Sequence, residues 1–255
     1  MSDEATLLTA VLDAPDDDAP RLAYAQWSAG QGDAASIARG ELIRAQIDLA
    51  HTAPEVIRSG GAAGLQRRID QLIAGHGAAW AGVIAGWVDG YHFVRGFVGW
   101  IRSSARGFLA HADALAALAP IQHVDLTDVR DVDEAIFDAP GLARLRSLAM
   151  DGCGLHDLHL QLLAASPQVR ELRWLSVANN RLSFAAAEAL AASPHLPRLR
   201  YAEFDGNPCD PADRIGRDSG IVVAVAESED GKRLEARFGR LRWLRREVIP
   251  DRFDI

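Results

Sequence analysis

Leu172-Arg173-Trp174-Leu175-Ser176-Val177-Ala178-Asn179-Asn180 decides how this chain is read. It fits the template Leu-x-x-Leu-x-Leu-x-x-Asn, with Leu172, Leu175, Val177 and Asn180 on the fixed positions. The template recurs at Leu145, Leu148, Met150 and Cys153, and at Leu199, Ala202, Phe204 and Asn207. A degenerate copy precedes them at Ile121, Val124, Leu126 and Val129. First positions at 121, 145, 172 and 199 are 24, 27 and 27 residues apart.

A period in the twenties with this apolar template is the signature of a leucine-rich repeat, whose single units bury their apolar faces only by stacking on neighbours. The expected class is α/β: a short leucine-rich-repeat solenoid with parallel strands on its concave face and helices on its convex face. An all-helical N-terminal module precedes it. The chain then divides into a helical module with N-terminal cap over 1–95, repeats over 96–207 and a C-terminal cap of a strand plus short helix over 208–255. Leu175 is expected to be fully buried. Asn180 and Asn207 are expected to bond backbone groups in the turn after each strand, because a buried amide offers both donors and an acceptor. Cys153 and Val129 stand at the same position and serve it less well.

Outside the repeats, local signals place further elements. Ser2, Asp18 and Asp33 are candidate caps for three helices within 1–51. Their apolar residues are Leu7, Leu8, Val11 and Leu12, then Leu22, Tyr24, Ala25 and Trp27, then Ile37, Leu42, Ile43, Ile47 and Leu49. The Gly/Ala/Pro-rich stretch around 52–64 reads as a linker. Leu65, Ile69, Leu72 and Ile73 mark a helix closed by Gly75-His76-Gly77, and Trp80, Val83, Ile84 and Trp87 a short one. Convex-side helices are expected at 108–118, 131–138, 157–165 and 183–192. The last two end in Ala-Ala-Ser-Pro, where proline cannot continue a helix. After Asn207-Pro208 the pattern stops; Ile221–Ala226 reads as a strand, and Ser228 opens a helix through Phe238.

Composition narrows the function. The 255 residues carry a formal net charge of −8, which argues against a sequence-independent nucleic-acid binder. No apolar run is long enough for a membrane span. Met1-Ser2-Asp3-Glu4 has acids where a signal peptide needs basic residues, so a cytoplasmic location is expected. Cys153 and Cys209 are two repeats apart, roughly 10 Å at the strand spacing, too far for a disulfide. Both are expected to be reduced.

Strand side chains alternate, so the residues between the template positions face outward. One outward column reads Trp100, His123, Ser147, Trp174, Tyr201; the next Arg102, Asp125, Ala149, Ser176, Glu203; the next Ser104, Thr127, Asp151, Ala178, Asp205. Just after each first template position stand Gly99, Gln122, Arg146, Arg173 and Arg200. The candidate binding residues are therefore Trp100, Arg102, His123, Asp125, Arg146, Asp151, Arg173, Trp174, Ser176, Arg200, Tyr201, Glu203 and Asp205. Exposed Trp and Tyr beside Arg are the composition of interface hot spots. Two readings stay open: a groove for a protein or peptide, or aromatics covered by the cap or the N-terminal helices, with arginines that merely solvate a strand edge.

Signals for chemistry are sparse. His156 and His159 lie three apart at a helix start near Asp151, Cys153 and Asp157, a weak candidate metal pair without a readable third ligand. Asp16-Asp17-Asp18 lacks the Gly and the final Glu of a calcium loop. There is no nucleophile elbow and no phosphate-cradling loop. No cofactor and no catalytic residue is expected.

Pro15-Asp16-Asp17-Asp18-Ala19-Pro20-Arg21-Leu22-Ala23-Tyr24-Ala25-Gln26-Trp27, Gly32-Asp33 and Ala38-Arg39-Gly40-Glu41-Leu42-Ile43-Arg44-Ala45-Gln46 resemble a known bacterial family. It is the repeat-companion domain, a helical module found ahead of leucine-rich repeats. His76-Gly77-x-x-Trp80 and Arg95-Gly96-Phe97-Val98 are similar to it as well. Gln26 and Ser28 stand where members read Asp and Leu. The resemblance spans roughly residues 5–205; it implies an architecture and a binding role, and no catalytic residues. The expected function is thus a non-catalytic scaffold or adaptor for another protein or a peptide, with no nucleic-acid or membrane partner. The alternatives are an accessory subunit of a partner enzyme or a metal-binding enzyme with a site near His156 and His159.

Overall fold

The computed structural model describes residues 3–131, 134–211, 214–218, 221–226 and 228–244. The class is α/β, with a six-stranded, mostly parallel sheet whose strands follow chain order. Two compact units form: 1–101 with 113–121, and 102–112 with 122–255. Among the described residues no helix is long and apolar enough to cross a membrane.

The first unit opens with helices α1 (Glu4–Asp13), α2 (Asp18–Ala29) and α3 (Ala34–Ala50). Asp3 caps α1 by accepting from the Thr6 N–H, Asp17 caps α2 through Ala19, and Asp33 caps α3 through Ser36. The α2 cap thus falls one residue before Asp18, which instead pairs with Arg95 (3.1 Å) and His51 (2.7 Å). Ser2 lies outside the described residues.

Val11, Tyr24, Ala25, Ile43, Ile47 and Phe97 make the core of this unit. Leu22 and Ile37, expected among the apolar residues, are exposed. The reason is the rotation of each helix: α2 turns Arg21, Tyr24, Ala25 and Ser28 inward, and α3 turns Ala38, Arg39, Leu42 and Ile43 inward. Arg21 is only 1% exposed, and backbone oxygens replace part of its lost water. Its Nη1 donates to Arg95 O (3.0 Å) and its Nη2 to Pro15 O (3.0 Å). Burial pushes its pKa down to about 9. Arg39 is buried too, its guanidinium over the rings of Phe97, Trp80 and Phe93 at 4.9, 5.1 and 5.4 Å, an arrangement that offsets part of the desolvation.

The linker carries a short helix, α4 (Pro54–Arg58), and α5 (Ala63–Ala81) runs through Gly75 and Gly77 rather than closing there. Gly77 is buried against Ile73 and Phe93, so its missing side chain serves packing, not chain termination. The module up to residue 95 is not helical throughout, because β1 (Gly90–Val94) precedes β2 (Phe97–Ser104) across a two-residue turn. Arg95 (φ 46) and Gly96 (φ 88) both take positive φ, the geometry that matches strand twist in a tight hairpin. Gln46 holds this turn, donating to Phe93 O (2.9 Å) and accepting from Gly96 N (2.7 Å).

The chain continues with α6 (Ala105–Leu118), β3 (His123–Thr127) and β4 (Ser147–Ala149). It goes on through α7 (Asp157–Ala165), β5 (Trp174–Ser176), α8 (Phe184–Ala192) and β6 (Tyr201–Glu203). β3 to β6 pair in parallel and in one register: Val124, Leu148, Leu175 and Ala202 stand side by side. These residues and Leu126, Met150, Val177 and Phe204 are all buried, Leu175 at 0% exposure. Leu160 and Leu163 of α7 and Ala186, Ala187 and Leu190 of α8 complete that core. An α-helix expected at 131–138 is instead three 3-10 turns, at 129–131, 134–138 and 140–144. The 121-to-145 step is three residues shorter than the others, and a 3-10 turn covers more length per residue than an α-helix.

Asn180 and Asn207 sit in the turns as expected. Asn180 Nδ2 donates to Met150 O (2.9 Å), Val177 O (2.9 Å) and Ala178 O (3.1 Å), and its Oδ1 accepts from Leu155 N (3.0 Å). Asn207 repeats the pattern one turn on, with Oδ1 accepting from Leu182 N (3.1 Å). Cys153 offers only a thiol, 3.3 Å from Leu126 O. Both cysteines are free and buried, and burial raises the pKa of each, Cys209 to about 12.

Beyond these strands, β7 (Arg214–Asp218) and β8 (Ile221–Ala226) form an antiparallel pair. β7 is an addition to the single strand expected there. In α9 (Glu229–Phe238), capped by Ser228, Leu234 is fully buried, Arg233 lies over the Phe184 ring (4.0 Å) and Arg237 pairs with Glu188 of α8. Trp243 stacks near Phe204 at 6.3 Å.

Candidate binding face

Register decides which side chains meet. His123, Ser147, Trp174 and Tyr201 are aligned across β3 to β6, and Asp125, Ala149, Ser176 and Glu203 are aligned two residues on. The two columns lie on the side of the sheet opposite Leu148 and Leu175, since alternate residues point to opposite faces.

Trp174 and Tyr201 stack with ring centroids 5.4 Å apart and planes 4° from parallel. Trp174 is half-buried. Tyr201 is only 3% exposed, and its hydroxyl donates to Glu203 Oε2. His123 (3%) and Ser176 (2%) are likewise buried rather than presented to solvent. For Ser176 the physical reason is size. Small residues such as Ser147, Ala149, Ser176 and Ala178 sit between larger neighbours in the columns, and strands about 4.8 Å apart leave them little open surface. The Ser147 hydroxyl is buried without a hydrogen-bond partner among the described residues. Ser176 Oγ donates to Asp151 Oδ1 (2.6 Å), which also accepts from Ala178 N (2.9 Å).

The arginines flank the aromatic column. Arg146, Arg173 and Arg200 precede β4, β5 and β6, and their backbones are tied in sequence: Arg173 N donates to Arg146 O (2.8 Å), and Arg200 N to Arg173 O (2.8 Å). Arg146 and Arg173 are half-buried and Arg200 is exposed. Burial, then the neighbouring Arg173 charge, pushes Arg146 down to about 10. Burial, then Arg200 and Arg198, lowers Arg173.

The other expected residues are placed as follows. Asp125 and Glu203 are half-buried, whereas Arg102, Asp151 and Asp205 are exposed. Trp100 belongs to the first unit, half-buried with its ring 4.5 Å from that of His92.

The chain matches no protein-family model, no curated protein and no solved structure.

His156 and His159 do not make an open metal pair. His156 is the N-cap of α7, its backbone N–H donates to His159 Nδ1 (3.0 Å), and the two rings lie 4.0 Å apart. Burial, then the His156 charge, lowers the His159 pKa. Among the described residues no group of three or more His, Cys, Asp or Glu side chains could hold a metal ion.

Sequence reasoning overlooked a second charged column one step outside the ladder, at Arg144, Glu171 and Arg198, where Glu171 pairs with Arg198. The signal was the same repeat period, two residues before each ladder arginine.

Proposed function

We propose that the chain is a leucine-rich-repeat protein with a helical module like the repeat-companion domain, and that its strand face binds a protein or peptide without catalysing a reaction. Support for the repeat architecture comes from the in-register template positions and from the asparagine amides that close successive turns. Support for binding comes above all from one observation. Trp174 and Tyr201 stack in register, beside arginines, on the face opposite the core. Aromatic anchors of this kind beside Arg carry most of the energy at protein interfaces.

Trp174 is the residue to test, since Tyr201 is too buried for truncation to separate binding from folding. Affinity capture from lysate of the native cell, read by mass spectrometry, compares the wild type with Trp174→Ala. A hot-spot aromatic is worth about 2 kcal/mol or more on truncation, roughly thirtyfold in affinity. The expected result is a partner retained by the wild type and lost by the variant, with melting temperatures within a few degrees. Unfolding of the variant would make Trp174 a core residue. Undiminished capture by both Trp174→Ala and Trp174→Glu would place the binding site elsewhere.

A further inference from the structure

The arginine ladder carries information about the partner that the aromatic stack does not. Arg146, Arg173 and Arg200 rise at the strand spacing, about 4.8 Å per step. Like charges directly opposite across strands are unfavourable, and here three of them are held in line by the backbone register. The adjoining column adds Arg144 and Arg198 and a single acid, Glu171, which is engaged by Arg198. Neither Arg173 nor Arg200 has an ion-pair partner among the described residues. A concentrated positive edge thus stands on a chain whose formal net charge is −8.

The opposite edge does not neutralise it. From Arg173 to Ala178 is five residues, about 16 Å of strand, twice the screening length of about 8 Å at physiological salt. Two acids of the face also accept hydrogen bonds from within it. Asp151 accepts from Ser176 Oγ and Ala178 N, and Glu203 accepts from the Tyr201 hydroxyl. Both edges present charge: Arg200 is exposed and Arg146 and Arg173 half-buried on one, Asp151 and Asp205 exposed on the other.

We propose, building on the binding role above, that the ladder recognises an acidic segment of a protein partner, with carboxylates seated over Arg146, Arg173 and Arg200 beside the aromatic stack. Guanidinium groups bind carboxylates through paired, charge-assisted hydrogen bonds. Spacing favours a helical segment: acids three apart on a helix rise about 4.5 Å and seven apart about 10.5 Å, against ladder steps of about 4.8 and 9.6 Å. Alternate residues of a strand, at about 6.6 Å, run out of step. A nucleic acid fits less well, since the ladder covers only about 10 Å and the net negative charge repels a polyanion at range.

The test uses the full-length protein and a displayed random library of dodecapeptides. Enriched peptides are expected to be acidic, to bind more slowly as salt rises, and to lose roughly tenfold in affinity for each arginine removed in Arg173→Gln and Arg200→Gln. Melting curves of both variants are expected to match the wild type. Peptides that need Trp174 but are neutral or basic, and that ignore the arginine variants, would overturn the acidic assignment and leave the binding role standing. Peptides that bind independently of Trp174 and of both arginines, or the absence of any enriched peptide, would overturn both. A single-stranded oligonucleotide that binds through Arg173 as tightly as the best peptide would overturn the choice of a protein partner.

Discussion

Asn180→Ala is expected to destabilise the protein well beyond the loss of a few side-chain atoms. The amide is 7% exposed and makes four bonds to backbone groups. After truncation two of those groups keep partners: Val177 O still accepts from Asn207 Nδ2 (2.9 Å), and Ala178 O from Gly152 N (2.9 Å). Leu155 N–H and Met150 O lose theirs. A buried polar group left unmatched costs about 1–3 kcal/mol, so the pair implies about 2–6 kcal/mol. Whole-domain stability is about 5–15 kcal/mol, and each kcal/mol moves the melting temperature of a chain this size by roughly 2–4 °C. Asn180→Asp separates hydrogen bonding from space-filling. Aspartate keeps the acceptor for Leu155 N but sets an oxygen against three carbonyl oxygens. At neutral pH it is therefore expected to melt no higher than the alanine variant. Thermal melts followed by circular dichroism read the outcome. An aspartate variant within about 0.5 kcal/mol of wild type, the scatter of ordinary surface changes, would refute the view that this amide organises the turn.

Two further outcomes follow from single contacts. The His159 pKa is lowered, by burial first and then by the His156 charge, so the fold favours the neutral ring. Its contribution is full above the unfolded value of about 6.5 and is lost as pH falls below that, when the unfolded chain takes up the proton more readily; melting curves from pH 7.5 to 5.5 should fall less steeply for His159→Gln than for wild type, and equal slopes would remove His159 from the pH response. Gly96→Ala would set a Cβ 2.2 Å from Ile43 Cγ1 at φ +88, whereas Gly32→Ala at φ +83 meets nothing within 4 Å; the first should therefore lose about 1–3 kcal/mol more than the second in urea denaturation, and equal losses would mean that Ile43 moves aside freely.

The repeats were legible because their signal is periodic. Four copies of one template fix strand positions, register and inward-facing residues together, and a slip of one residue would have sent Leu148 and Leu175 to the wrong face. Asn180 was legible for a chemical reason, since few residues can serve several backbone groups in a dry turn. The helix at 131–138 was not, because a repeat shortened by three residues does not announce how it shortens. The Asp33 cap was legible, whereas the α2 cap was off by one because Asp16, Asp17 and Asp18 are chemically equivalent until the backbone chooses among them. At the binding face the columns were legible but the exposure was not. Alternation says which side of a sheet Tyr201 takes; whether Trp174, 27 residues away, and Glu203, two residues along the same strand, then cover it depends on side-chain packing.

Arginine shows where sequence stops and structure begins. Arg21, Arg39, Arg173 and Arg200 each stand beside apolar residues in the sequence, and residue type alone does not separate them. Packing does. Arg21 is closed in by the carbonyl oxygens of Pro15, Val94 and Arg95, and Arg39 by three aromatic rings. Their charge is consumed inside the first unit and has nothing left for a ligand. Several residues of the stretches that resemble a repeat-companion domain are of this kind. Arg21, Gln46, Arg95 and Gly96 all converge on one turn between β1 and β2, so they describe how a module is built and not what it binds. Arg173 and Arg200 are held in register by backbone bonds and make no ion pair among the described residues. On the proposed reading, the charge of Arg173 and Arg200 is what a partner meets beside the stack.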